Sequence, residues 1–223
     1  MSGPERGPEQ GKFITFEGGE GGGKSTQVKT LAAALQDAGH TVVVTREPGG
    51  APAAEEIRDL LVSGAVERWS PMAEVLLNYA AREMHVRQTI RPALDRGDWV
   101  ISDRFSDSTM AYQGYGGGVD PARIEAIHTA VLGEFKPDLT LILDLDVTDG
   151  LARAGKRLVE AGSAEDRFER MERDFHHRLR DGFLEIAKSE PLRCRVIDAS
   201  GDITAVAENV RRTVSEVLGV SLP

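Results

Sequence analysis

Two rhythms of apolar residues alternate along the chain. Short runs with β-branched character occur at residues 13–17 (FITFE), 41–45 (TVVVT), 99–102 (WVIS), 139–145 and 195–197, and each predicts a strand. Between them the apolar positions recur at three and four. In 24–38 they are Val28, Leu31, Ala32 and Leu35, with Gly39 placed to end the helix. Further helices are predicted over 53–62, 71–96, 121–132 (with Pro121 in its first turn), 166–188 and 203–218. Another starts near 148 and weakens from 155 to 162, where glycines intervene. Residues 18–23 form a glycine-rich turn, and Glu47-Pro48-Gly49-Gly50 forms a second.

Strands that alternate with helices, several of them apolar on both faces, predict a parallel sheet covered on both sides. No repeat or linker divides the sequence. We read a flexible tail at 1–11 and one α/β domain over 12–223, with a small mobile insert at about 152–167.

Composition narrows the class. Hydrophobic residues are 40% and charged residues 28% of the 223, enough apolar material for a full core. No apolar run reaches membrane-spanning length, and the charged N-terminus gives no secretory signal, so a cytoplasmic protein is expected. Cys194 is the single cysteine, which excludes an internal disulfide, and no Cys/His cluster has zinc spacing. The five histidines show no ligand spacing, and the adjacent pair His176-His177 is expected on the surface. A net charge of −9 argues against broad nucleic-acid or membrane binding but leaves room for a local phosphate site.

Such a site has a motif. Gly18, Gly19, Glu20, Gly21, Gly22, Gly23, Lys24 and Ser25 fit G-x-x-x-x-G-K-[ST], between a predicted strand and a predicted helix, with Thr26 following. Glycines let successive N–H groups converge on phosphate oxygens, and the helix N-terminus adds partial positive charge. In such a motif Lys24 reaches the β/γ-phosphates, and Ser25 can ligate Mg²⁺. The bland alternative is a glycine-rich turn and nothing more. A nucleotide site alone leaves small-molecule kinases, GTPase switches and partition ATPases open. The guanine-specificity N-K-x-D is absent, and Gly19 stands where a partition ATPase carries its second lysine. A kinase needs arginines for its acceptor. Asp103 and Arg104 end a strand at the ligand-binding edge of such a sheet, while Arg58 and Arg82 lie on predicted helices.

Six segments together make the chain resemble the thymidylate kinases, a family of nucleoside-monophosphate kinases. They are Phe16-Glu17-Gly18 with the loop, Thr45-Arg46-Glu47-Pro48-Gly49-Gly50, Tyr79-Ala80-Ala81-Arg82, Ser102-Asp103-Arg104-Phe105, Ser108-Thr109-Met110-Ala111-Tyr112-Gln113-Gly114 and Pro137-Asp138-Leu139-Thr140. The likeness runs from about residue 12 to the C-terminus. It implies the three-layer P-loop kinase fold, a five-stranded parallel sheet with helices on both faces and a small mobile lid. It also implies a cis Glu47-Pro48 bond, conversion of dTMP to dTDP with ATP and Mg²⁺, and a homodimer.

The resemblance implies residue roles as well. Glu20 faces the acceptor sugar, and Arg58, Arg82 and Arg104 hold the dTMP phosphate. Thr109 and Gln113 read the thymine edge, and Tyr112 packs at the deoxyribose. Ser25 and Asp103 organise Mg²⁺, and Arg153, Lys156, Arg157 and Arg167 fall in the lid. The loop has no arginine of its own, so the charge on the transferring phosphoryl group is expected to be met by Arg157, with Arg153 as the alternative carrier. One position departs from the family: Asn78 stands where an aromatic residue stacks on thymine. Tyr79 beside it points ~100° away on a helix.

Overall fold

The computed structural model describes residues 11–161, 167–168 and 171–223. Five strands, β1 (Phe13–Glu17), β2 (Val42–Arg46), β3 (Trp99–Asp103), β4 (Leu139–Asp144) and β5 (Cys194–Asp198), form one sheet in the order β2-β3-β1-β4-β5. Every pairing is parallel, as the runs predicted. The order reverses at β1, between β3 and β4, which opens a crevice at the carboxyl ends of β1 and β3. Register sets the chemistry of that edge: Phe16 pairs with Asp103, and Arg46 pairs with Asp103 from the other side.

Alternation along β1 divides the core. Ile14 and Phe16 face α1 (Lys24–Asp37) and α9 (Ile203–Leu218), where Val28, Leu31, Leu35, Val206, Val210 and Val214 meet them. Phe13 faces the other layer with Val100, Phe105, Ile90 and Leu132. On that side α6 (Pro121–Leu132) and α8 (Arg173–Ser189) cover the sheet, and Phe175, Leu179 and Phe183 of α8 pack on Tyr112 and Ile142. Cys194 is buried in this cluster, and burial pushes its thiol up to about 12.

Several boundaries differ from the sequence reading. The long helix is α3 (Pro71–His85), continued by a π-helical stretch over Val86–Ile90 and by α4 (Arg91–Asp95). Against it lies α2 (Pro52–Val62), with Ala54 packed in one cluster with Ala81. Pro92 has no N–H and its ring crowds the preceding turn, so the ladder widens before it and the Arg91 N–H bonds to the Val86 carbonyl. Residues 106–116, with no helical periodicity in sequence, form α5 (Ser106–Thr109) and a π-helical run over Met110–Gly116. The helix α7 (Val147–Ala161) passes through Gly155 rather than weakening there, and α8 starts at Arg173, seven residues later than expected from 166. The expected tail and residues 162–166 of the expected lid lie outside the described residues. His176 is buried against the α8 core, as are His85 and His128 on their own helices, so the surface reading of His176 is corrected.

Close packing makes one glycine exacting. A Cβ at Gly182, in the middle of α8, would stand 2.6 Å from Cβ and Cγ of Tyr115. Overpacking costs about 1–3 kcal/mol, against ~1 kcal/mol gained in helix propensity. Gly182→Ala should therefore unfold at a lower urea concentration than the native protein; an equal or higher midpoint would show that α8 shifts freely against the Met110–Gly116 run.

Candidate active site

The loop between β1 and α1 lines one end of a cleft with Glu20 to Thr26. Gly18 has φ 123°, and a Cβ there would lie 2.4 Å from the Leu143 carbonyl oxygen. Gly21 has φ 71°, and its Cβ would lie 2.0 Å from the carbonyl oxygen of Gly150 at the start of α7. Lys24 opens α1, and its Nζ donates to the carbonyls of Gly18 (3.0 Å) and Gly19 (2.7 Å). Burial, then the nearby Arg104 guanidinium, brings this ammonium down to about 8. The Ser25 hydroxyl donates to Asp103 Oδ2 at 2.7 Å. Two hard oxygen donors side by side suit Mg²⁺, which keeps several of its waters and takes few protein ligands.

Arg104 follows β3 and is the one described non-glycine residue with positive φ, at 74°. That backbone conformation is strained for a side chain with a Cβ, and it aims the guanidinium into the crevice. Nη1 donates to the Gly18 carbonyl (3.2 Å) and Ser108 Oγ (3.1 Å), and Nη2 donates to Glu20 Oε1 (2.9 Å). The Tyr112 ring lies 4.8 Å from its carbon, and the Tyr112 hydroxyl donates to Glu20. Glu20, Arg104 and Tyr112 thus form one cluster at the loop. Beneath it Glu17 is fully buried, accepting from the Phe105 N–H (2.7 Å) and the Ser108 hydroxyl (2.5 Å). Burial, with Asp107 adding repulsion, pushes its carboxyl up to about 8.

Glu47, before the cis Glu47-Pro48 bond that the sequence reading expected, is buried and carries two partners. Its Oε2 accepts from Arg82 Nε at 2.7 Å, and its Oε1 meets His85 Nδ1 at 2.9 Å. Arg82 Nη2 donates to the Phe105 carbonyl (3.1 Å) and Thr109 Oγ1 (3.0 Å). Arg82 Nη1 is buried with no hydrogen-bond partner among the described residues, and Arg82 lines the cleft. A desolvated guanidinium N–H without an acceptor is costly, so this atom marks where a ligand oxygen belongs. Arg58 Nη1 donates to the Pro48 carbonyl at 2.9 Å and lines the same cleft.

Gln113 Nε2 donates to Glu74 Oε2 at 2.8 Å, and Glu74 Oε1 accepts from Arg167 Nη2. Asn78 Nδ2 donates back to the Glu74 carbonyl at 2.9 Å. Tyr79 turns away from the cleft, with its ring 4.6 Å from the Arg82 carbon and edge-on to His128, so it does not take the aromatic's place. The cleft, about 420 Å³, runs from the loop past Arg104 and Arg82 to Asn78, Gln113 and Phe168. Arg153 lines its loop end and donates to the carbonyls of Ala199 (3.2 Å) and Ser200 (3.5 Å). Arg157 lies on α7, but its side chain is outside the described residues. Arg167, expected in the lid with them, is buried and donates to the carbonyls of Leu61, Ala65 and Val66.

A phosphate loop facing an arginine-lined acceptor cleft is matched by known proteins. Residues 16–210 fit the family model described as thymidylate kinase. The chain belongs to the thymidylate kinase family. It is 54% identical over 211 residues to a thymidylate kinase of Caulobacter vibrioides, covering 95% of this chain and 99% of that one. A thymidylate kinase of Afipia carboxidovorans is 51% identical over 216 residues, with 97% and 94% covered. The crystal structure of thymidylate kinase from Ehrlichia chaffeensis superposes with a TM-score of 0.72 at 36% identity, covering 92% of this chain and 98% of that one. Of the residues singled out in the sequence, those from Glu20 to Thr26, with Arg58, Asn78, Arg82, Asp103, Arg104, Thr109, Tyr112, Gln113 and Arg153, line one cleft. Glu17, Glu47, Glu74, His85, Ser108 and Phe168 were missed as site residues. Glu17, Glu47 and Ser108 had a signal in sequence, since each lies inside one of the segments that carry the family likeness.

The raised Glu17 carboxyl has a pH consequence. A group whose folded value, about 8, exceeds its ordinary value of 4.5 binds more protons folded than unfolded, so its stabilising effect is lost as pH rises between the two. Glu17→Gln removes the titration. Thermal melts should show the native protein losing ground to the variant from pH 5 to pH 8; a constant gap would mean that Glu17 is charged throughout.

Proposed function

We propose that this protein transfers the γ-phosphoryl group of ATP to dTMP, giving dTDP and ADP, within one domain over residues 12–223. Family membership supports the reaction. The observation that carries it in the site is the convergence of Arg58, Arg82 and Arg104 on a cleft that opens onto the phosphate loop. A nucleotide switch has no need of this second, cation-lined compartment.

ATP lies with its phosphates in the loop, cradled by the N–H groups from Gly18 to Thr26 and held by Lys24. Ser25 and Asp103 would hold Mg²⁺, which would supply neutralisation of phosphate charge when bound. A dTMP phosphate oxygen attacks the γ-phosphorus in line, a new P–O bond forms, and the bond to the β–γ bridging oxygen breaks with its electron pair going to ADP. Protein groups position and neutralise; no covalent intermediate is needed. Arg104 and Arg58 hold the acceptor phosphate. Arg82 shares its guanidinium with Thr109, so we assign its Nη1 to a carbonyl at the base end rather than to the phosphate expected from sequence. Glu20 and Tyr112 face the deoxyribose, Gln113 and Thr109 the base edge, and Asn78 lines that end without stacking. Arg157 supplies transition-state charge, with Arg153 as the alternative. The family resemblance supports a homodimer in the cytoplasm. A net charge of −9 supports small-molecule partners over nucleic acid or membranes, and no helix among the described residues is long and apolar enough to cross a membrane.

An ATP-consumption assay with dTMP, dUMP, dGMP, AMP and CMP tests the reading: rapid turnover should require dTMP, and slow acceptor-independent turnover would overturn it. Arg104→Ala should raise the KM for dTMP tenfold or more and barely change that for ATP, since a charge-assisted bond contributes ~1.5–3 kcal/mol. Equal effects on both substrates would remove Arg104 from the acceptor site. Arg157→Ala should lower kcat and kcat/KM together by at least a hundredfold, because arginines serving phosphoryl transfer contribute up to ~10³–10⁵. An arginine at Gly22, whose Cβ would have 3.5 Å of clearance, should restore part of the loss, whereas Gly21 has no room for one. Unchanged kcat with a raised ATP KM would make Arg157 a binding residue.

A further inference from the structure

The amide of Gln113 faces the acceptor-base end of the cleft, and an amide is ambiguous: it offers a donor or an acceptor depending on which way it is turned. A pyrimidine edge with N3–H needs an acceptor opposite it, and cytosine, whose N3 is a lone pair, needs a donor. Discrimination at N3 therefore depends on what fixes the amide.

The structure supplies that constraint away from the ligand. Glu74 is buried at the start of α3. One of its oxygens accepts from Arg167 and the other from Gln113 Nε2 at 2.8 Å. A carboxylate in an ion pair accepts and never donates, so only the NH₂ end of Gln113 can face it. Arg167 cannot drift to leave Glu74 alone, because its guanidinium also donates to three backbone carbonyls, those of Leu61, Ala65 and Val66. With Nε2 committed, Oε1 is the group that Gln113 has left for the cleft it lines.

We infer that the buried Glu74–Arg167 pair is a specificity device: it locks Gln113 with its amide oxygen toward the acceptor base, so that the site accepts bases carrying N3–H and rejects cytosine. Glu74 and Arg167 are positioning residues, and the inference rests on the dTMP kinase reading above. Rotating the amide would bring Oε1 against a carboxylate oxygen, two acceptors facing each other inside the protein, which is the costly arrangement for buried polar atoms.

Glu74→Gln is the decisive change. The substituted side chain can still accept from Arg167 with its oxygen while donating its own NH₂ to Gln113, which turns the Gln113 amide over and presents a donor to the cleft. The variant should raise kcat/KM for dCMP above that of the native enzyme and cut the dTMP-to-dCMP preference at least tenfold. The changes should lie in KM for the acceptor, with KM for ATP within twofold of native. The dTMP-to-dUMP preference should stay unchanged, because both bases carry N3–H. A folded variant with no gain on dCMP overturns the inference, since a merely structural lesion would lower activity on all acceptors. Should Glu74→Gln fail to fold, the native enzyme still decides: 3-methyl-dTMP, which lacks the N3 hydrogen, should bind at least tenfold more weakly than dTMP by calorimetry, and equal binding overturns the lock. Failure of the underlying reading looks different, because the native enzyme would then not turn over dTMP at all.

Discussion

Charge held out of water, each group answered by a partner, is the constraint on which the cleft depends. An unpaired buried ion costs several kcal/mol, so the buried and half-buried arginines around the cleft have their own counter-groups. Arg82 is set by Glu47, Arg104 by Glu20, and Arg167 by Glu74. Each acid in turn is held by something rigid: Glu47 by His85, Glu20 by Tyr112, Glu74 by the first turn of α3. The cation positions are therefore fixed before substrate arrives, and binding need not bear the cost of gathering them.

The sheet topology determines where this happens. Because β1 is central and β3 lies beside it, Asp103 ends next to the phosphate loop although it is 78 positions from Ser25 in sequence. The left-handed backbone at Arg104 turns the chain out of the sheet at that point. Without it the guanidinium would continue along the strand direction, away from Gly18 and Glu20. Strain at one residue thus joins the nucleotide compartment to the acceptor compartment.

Much of this was legible in the sequence, for physical reasons that can be named. All five strands were visible because their runs are β-branched and apolar, and the phosphate loop because its glycines and lysine have no other common use in that context. The place of β2 at the sheet edge was not visible. Val44 is 49% exposed there, yet Val43 and Val44 are the same residue type, and nothing in a periodicity states strand order. The Met110–Gly116 run was missed because its π-helical turns follow neither a 3.6 nor a 2.0 period. Among site residues, the arginines were found through motif positions. Of the acids that hold them, Glu20 was found with the loop, but Glu47 and Glu74 were not: a buried glutamate reads like a solvated one, and Glu47 meets Arg82 across 35 positions of chain. Arg167 was placed in the lid by the family resemblance, and its partners Leu61 and Glu74 lie 106 and 93 positions away, which no local pattern states.

Cys194 leads somewhere else. It is the only thiol in the chain, it is buried, and burial pushes it up to about 12. Maleimides and other alkylating reagents react with exposed thiolates, so they should pass it by in the folded protein. Two cysteines introduced on exposed faces would then be the reactive positions, with no need to remove the native one. Fluorophores or spin labels placed at one point on α7 and one on α2 would report the distance across the mouth of the cleft, making closure directly readable in a chain whose own chemistry stays silent.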